Sequence, residues 1–377
     1  MGSPPDGTKA LLYAALFMLS SMASTLSMKK VTNVLPNYSF FVSLAHITVL
    51  TGAFFACAPA APGAAALAIR TRTFALLGAL DALAGVLVLL GSVHTSGPTQ
   101  QLLMQCSIPL TMLGSAALFG KRYGARHLAG AALILAGVGI TLAPKLLADS
   151  AAAASGGGGS GKSGSGGSEL IFNGIFALSV VPMVGATLYK EAALTATDGN
   201  GGDVDGNYLN AWIGVFQMGF TLLCLPLNAL PVLGAGAVPL AELGAQLAAG
   251  AACVLGGVDS VTPATHPGCV RALAPGALAC DACAGAWWPL AQYLVFNFAM
   301  NAFLTDLLKH AGATTMFAVT TARMPLQAIA FSLPLLMGEA ARPFTQTDIA
   351  SLAVIVAGIL VYKSAGAALP ATKAKAE

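Results

Sequence analysis

Ten times along this chain an apolar stretch runs for roughly 19 to 25 residues, about what a helix needs to cross the hydrocarbon core of a bilayer. The stretches lie at about 10–28, 37–58, 73–93, 98–119, 126–146, 170–190, 208–230, 286–308, 312–336 and 347–366. Only 9% of all residues are charged and 56% are hydrophobic, against about 25% charged in soluble domains. In lipid every backbone N–H and C=O must be paired within the structure, which leaves helices or closed barrels, and unbroken apolar runs select helices over the alternation of a barrel strand. The reading is therefore an all-α membrane protein with ten transmembrane helices.

An even number of spans puts both termini on one side of the membrane. With Arg323 set aside, eleven of the 18 Lys and Arg residues, Lys190 among them, then fall on the side of the N-terminus and six on the other. The excess of basic residues marks the cytosolic side, so both termini are expected there. The formal charge of +3 reflects this bias, and no nucleic-acid partner is expected.

Between the fifth and sixth stretches lies "SGGGGSGKSGSGGS", Ser155 to Ser168, in which Gly156, Gly161, Lys162 and Ser163 match the pattern of a phosphate-binding loop. Such a loop needs a strand feeding the glycines and a helix whose N-terminus faces the phosphates. Here the tract follows "LLADSAAAA" and precedes more Gly and Ser, so it reads as a flexible linker without nucleotide, and no cofactor is expected. It divides the chain into residues 1–150, a linker at 151–168, and residues 169–377, each flank holding five stretches. A shift of 216 residues aligns His94 with His310, Thr99 with Thr315 and Pro109 with Pro325. A shift of 221 aligns "ILAGV", Ile134 to Val138, with "IVAGI", Ile355 to Ile359. Two five-helix units in succession must lie in opposite orientations, which gives an inverted repeat with a central site.

Polar side chains within spans are costly, and by default they face a polar cavity. His46 falls in the second stretch, Asp81 in the third, Gln100, Gln101 and Gln105 in the fourth. Asn210 and Gln217 fall in the seventh, Asn297 and Asn301 in the eighth, Arg323 and Gln327 in the ninth. Asp81 reads as a carboxylate lining a translocation cavity, able to take a proton or a cationic group; the alternative is a packing pair with Arg323 or His46. Arg323 reads as a carboxylate-binding charge or as a cap for carbonyls freed by the adjacent proline. Pro109, Pro182, Pro226, Pro325 and Pro334 are expected to break or bend spans in both halves.

A segment at about 231–285 holds Cys253, Cys269, Cys280 and Cys283. Its spacing fits no zinc ribbon, and the charge argument puts it on the non-cytosolic side, so two structural disulfides are expected and no metal. Cys57, Cys106 and Cys224 fall in or at the ends of spans and read as buried thiols.

"NYSFFVSLAH", "LDALAGV", "SGPTQQLLMQCSIPL", "LNAWIGVFQ", "CDACAGAW" and "FNFAMNAFLT" together resemble the chloroquine-resistance-transporter family of the drug/metabolite transporter superfamily. The resemblance implies ten spans in two inverted halves, cytosolic termini and a lumenal loop closed by nested disulfides, Cys253 with Cys283 and Cys269 with Cys280. It places Lys30 on the lysine that controls drug passage in the malarial member, and His46, Asp81, Gln100, Gln105, Asn297 and Asn301 on cavity positions. Two departures stand out: an acidic position of the eighth span is Met300 here, and a glutamine of the ninth is Arg323. The change favours anionic cargo, such as short peptides or glutathione-like thiols, over cationic drugs.

The expected function is secondary active transport of small organic solutes across an internal membrane by alternating access, coupled to protons through Asp81 and His46. Substrate contacts are expected from Lys30, His46, Asp81, Gln100, Gln105, Gln217, Asn297, Asn301 and Arg323, with Lys30 and Arg323 holding carboxylates. The partners are the substrate, the proton and the bilayer, with the chain a monomer or weak dimer. A nucleotide-sugar or phosphorylated-sugar transporter is the alternative, although Arg323 is a thin phosphate site. Enzyme chemistry is not expected, since H-E-x-x-H is absent and Asp81 and Asp306 sit in no supporting motif. A first span so near residue 1 leaves no room for a plastid transit peptide, which points to a vacuolar or other endomembrane address, or the plastid envelope if a longer N-terminus precedes it.

Overall fold

The computed structural model describes residues 6–59, 69, 71–154, 165–197, 205–229, 239–270, 278–338, 341 and 345–364. These residues are helical apart from turns and one parallel bridge, Val270 to Ala279. The helices are α1 (Asp6–Val34), α2 (Ser39–Cys57), α3 (Thr71–His94), α4 (Gly97–Leu103), α5 (Ser107–Phe119) and α6 (Ala125–Ala154). After the tract come α7 (Ser165–Thr197), α8 (Gly206–Leu223), α9 (Leu243–Gly256), α10 (Trp287–Ser332), α11 (Pro334–Met337) and α12 (Gln346–Ser364). Thr8–Val34, Pro36–Cys57, Thr71–Ser92 and Leu170–Ala193 are long and apolar enough to cross a membrane. Large apolar side chains such as Leu11, Leu19 and Leu178 lie exposed on them, as a lipid-facing surface requires.

The eighth and ninth stretches form one helical run, α10, instead of two separate helices. If α10 were straight, Asn297 and Arg323 would stand about 39 Å apart. Yet Asn297 bonds Ser24 and Arg323 bonds Ser21, within a turn of each other on α1. Tyr13 meets His310 while Ser21 meets Arg323 and Met22 meets Gln327, so contacts run antiparallel to α1 before His310 and parallel to it afterwards. The run therefore folds back between His310 and Met316, and its two arms enclose α1.

The fourth stretch is divided. Ser96 caps α4 by accepting the Thr99 N–H, with Pro98 in the first turn, and a 3-10 turn at Met104–Cys106 separates α4 from α5. The break is not at Pro109, which sits in the first turn of α5 where its missing N–H costs little. Pro182 lies inside continuous α7 and does not interrupt it. Pro226 follows the end of α8 and Pro334 opens α11, so both sit at helix boundaries. The segment read as a loop at 231–285 contains α9, formed from the Ala/Leu-rich "LGAQLAAGAACVLG". The Gly/Ser tract lies outside the described residues from 155 to 164, while its last residues already belong to α7. Cys57 is exposed at the end of α2 rather than buried.

Helix pairing is regular: α1 packs on α10, α7 on α3, α8 against both α2 and α3, and α6 on α12. Lipid tails are as apolar as leucine, so helix association there relies on close packing through small residues. At the α6–α12 seam a Cβ on Gly137 would collide with Ile355 and Ser351, and one on Gly358 would meet Gly130 O and Ile134 N at 2.9 Å. The Ser351 hydroxyl closes the seam by donating to Gly137 O at 2.6 Å.

Both disulfides form as the resemblance implies, Cys253 with Cys283 and Cys269 with Cys280. Gly257, at φ 63°, ends α9 and turns the chain into the hairpin they staple. Cys253 and Cys283 are buried in a core with Val31, Leu35, Tyr38, Leu89 and Leu290, which joins the hairpin to the ends of α1, α3 and α10. Asp281, between the cysteines of "CDAC", clamps it polarly. Its carboxylate accepts from Asn37 Nδ2 (3.0 Å), the Tyr38 hydroxyl (2.6 Å) and the N–H groups of Ser260 (2.9 Å) and Val261 (2.8 Å).

Candidate functional site

The helix pairs surround a central cavity of about 370 Å³ lined by residues on both sides of the Gly/Ser tract. Serines at 21 and 24 of α1 face the two arms of α10, because "SSMASTLS" repeats small hydroxyl residues at helical spacing. Ser21 accepts from Arg323 Nη1, and Ser24 accepts from Asn297 Nδ2 at 3.2 Å. Asn297 is a hub: its Oδ1 accepts from His46 Nε2 at 2.9 Å and from Asn301 Nδ2 at 2.8 Å. With Nε2 donating, Nδ1 is the acceptor of a neutral His46 ring, which also stacks on Tyr293 at 5.0 Å.

From Asn301 the network continues to α7. The Thr305 hydroxyl donates to Asn301 O at 3.0 Å and accepts from Asn210 Nδ2 at 3.1 Å, while Asn210 Oδ1 accepts from Lys190 Nζ at 3.4 Å. Lys190 is 7% exposed and lines the same cavity as Asp81, across the α3–α7 contact. Asp81 and Arg323 form no ion pair among the described residues, and His46 turns to Asn297, so neither packing pair considered for Asp81 is made. Arg323 is 6% exposed, and among the described residues neither its Nε nor the nearby Gln327 Oε1 has a hydrogen-bond partner.

Of the residues expected to meet substrate, His46, Asp81, Gln217, Asn297, Asn301 and Arg323 line the cavity. Lys30, Gln100 and Gln105 do not. Lys30 lies half-buried near the end of α1, outside the lining. Its neighbour Lys29 is buried and donates to Ser92 O (2.9 Å) and Thr95 O (3.0 Å), capping α3. Gln100 donates to the same two carbonyls at 3.0 and 2.9 Å, so it too secures the break between α3 and α4. Gln105 is buried away from the lining. Sequence reasoning missed Lys190, which it counted among the orientation charges, although its place as last residue of an apolar stretch was a signal. Ser21 and Ser24 carried no signal beyond their spacing.

A helical membrane protein with ionisable and amide groups turned onto a central cavity is the class to which this fold and site belong. Residues 10–362 match the CRT-like family, described as chloroquine-resistance transporter-like. The chain belongs to that family, which is one of membrane transporters. It is 36% identical over 359 residues to the chloroquine resistance transporter of Toxoplasma gondii, covering 94% of this chain but 38% of that protein's length. It is 34% identical over 376 residues to Crt homolog 1 of Dictyostelium discoideum, covering 94% of this chain and 73% of that one. The chloroquine resistance transporter of Plasmodium falciparum is 24% identical over 363 residues, covering 95% of this chain and 79% of its own.

Proposed function

We propose that the chain is a secondary transporter that moves small organic solutes, among them short peptides, glutathione-like thiols and amphipathic drugs, across an internal membrane such as that of a vacuole. The observation that carries this reading is the cavity itself, a solute-sized space with buried ionisable groups enclosed by helices from both flanks of the tract. Alternating access between two inverted five-helix halves is supported by the α6–α12 seam. Under the 221-residue shift Gly137 corresponds to Gly358 and Ile134 to Ile355; Gly137 abuts Ile355 and Ser351, and Gly358 abuts Ile134 and Gly130. Exchanging the halves reproduces the contacts, as a two-fold axis demands.

Proton coupling falls to His46 and Asp81, and Arg323 holds a carboxylate of the cargo. No chemistry is performed on it, so the protein is not an enzyme. The test is uptake of a labelled short peptide into proteoliposomes under a pH gradient. Asp81→Asn should abolish gradient-driven uptake; unchanged uptake removes Asp81 from coupling, and no uptake by the unaltered protein sinks the reading.

A further inference from the structure

Five of the chain's 12 methionines line the cavity among the described residues: Met28, Met104, Met183, Met300 and Met316. Met28 packs against the core of the disulfide hairpin, and Met104 and Met183 pack on α7. Met300 and Met316 stand together, one on each arm of α10, in an apolar cluster with Phe17 of α1 and with Leu307 and Leu308. Phe17 lines the cavity as well. Phe17 and Met316 are 5% and 7% exposed, so little of this patch meets water.

The patch lies beside Arg323. Met316, Thr320 and Arg323 all line the cavity, and their spacing of four and then three residues puts them on one face of the second arm. On α1 the order is the same: Phe17 belongs to the Met316 cluster, and Ser21, one turn on, accepts from Arg323. Charge and apolar patch are thus about 6 Å apart along α1 and about 10 Å apart along the arm, at 1.5 Å of rise per residue. Thr320, between them, donates its hydroxyl to Met316 O at 2.9 Å and keeps its proton within the helix.

The amides across the cavity are largely spent on one another. Asn297 Oδ1 already accepts two hydrogen bonds, and Asn301 Nδ2 donates both its protons to Asn297. Among the described residues Arg323 bonds the neutral Ser21 and leaves Nε unpartnered. A solute here meets a positive charge at one end and a polarisable apolar wall at the other. Apolar surface gains by leaving water, and unbranched thioethers fit themselves to rings and branched chains alike. We infer that Phe17, Met300 and Met316 form an apolar subsite beside Arg323, so that the cavity takes carboxylates carrying one bulky apolar group. On the transport reading above, on which this rests, such amphipathic acids are the class of cargo.

The experiment compares N-acetylphenylalanine with N-acetylalanine, which carry the same single carboxylate and differ by one phenyl ring. Binding is measured to the protein in nanodiscs, with binding to empty nanodiscs subtracted, and exchange at equal pH on both sides of proteoliposomes. The unaltered protein should bind the phenylalanine probe at least about tenfold more tightly, as burial of one ring implies. N-acetylleucine should fall within about threefold of it, because the wall adapts. Met300→Gln, close to isosteric and at the half-buried position, should cut the preference by about threefold or more. Met300→Gln with Met316→Gln should erase it, whereas Met300→Leu with Met316→Leu, still apolar and of similar volume, should hold it. Arg323→Gln should weaken all three probes by a similar factor and leave their ratios in place. Equal binding of the phenylalanine and alanine probes by the unaltered protein, or a preference that survives in Met300→Gln as it does in the leucine pair, overturns the inference. Preferential binding without exchange would sink the transport reading and leave the inference standing; uptake of labelled peptide without any preference would do the reverse.

Discussion

Asn297 accepts two hydrogen bonds and donates one, tying α1 and α2 to the first arm of α10. Asn297→Leu keeps the branched shape but removes the partner of His46 and Ser24, while Asn301 Nδ2 keeps its bond to the backbone O of residue 297. Each buried polar group left unpaired costs about 1–3 kcal/mol, so the variant should unfold well below the original in a thermal melt in detergent. Adding His46→Leu should recover part of that loss, because removing both partners of a hydrogen bond costs less than removing one. If the two changes are simply additive, the bond contributes nothing. At this scale the sequence was informative about type and silent about direction. Asn297, Asp81 and Arg323 stood out because polar groups in apolar stretches are rare. Lys190 stood at the edge of a stretch, a place that marked it as unusual but where a lysine ordinarily snorkels to the surface, so the direction of its side chain was not legible.

Among helices, the α6–α12 seam gives the clearest energetic statement. A methyl added at Gly137 or Gly358 meets backbone or the Ile355 side chain, whereas one added at Gly139, two residues on, meets nothing within 4 Å. Gly137→Ala and Gly358→Ala should therefore destabilise by about 1–3 kcal/mol, the range for overpacking. Gly139→Ala should be neutral or stabilise by up to about 1 kcal/mol, the helix-propensity difference. Equal melting temperatures for the three variants would show that the seam opens without cost. The positions of apolar stretches predicted helices well, but not their continuity. No separate loop divides the two arms of α10, and the break after α3 is set by "SGPTQ" capping rather than by the proline that follows it.

For the whole molecule, the tract at 155–168 is expected to act only as a connection. Shortening it by about five residues while its ends stay joined should leave uptake intact, as should Lys162→Ala. Loss of uptake in Lys162→Ala alone would revive a phosphate-binding role. The apolar length of its stretches, with so few charges, determined by itself that this chain is helical and membrane-spanning, because lipid offers the backbone no other partners. Quoted motifs carried the family and the disulfide pairing. Which polar residues share the cavity was decided only by tertiary structure. Helices apolar on every side have no hydrophobic face from which their rotation can be read, and that rotation is set by packing against neighbours. Packing turned Lys190 onto the cavity and left Lys30, Gln100 and Gln105 outside it, so that one lysine replaced another among the charges of the site.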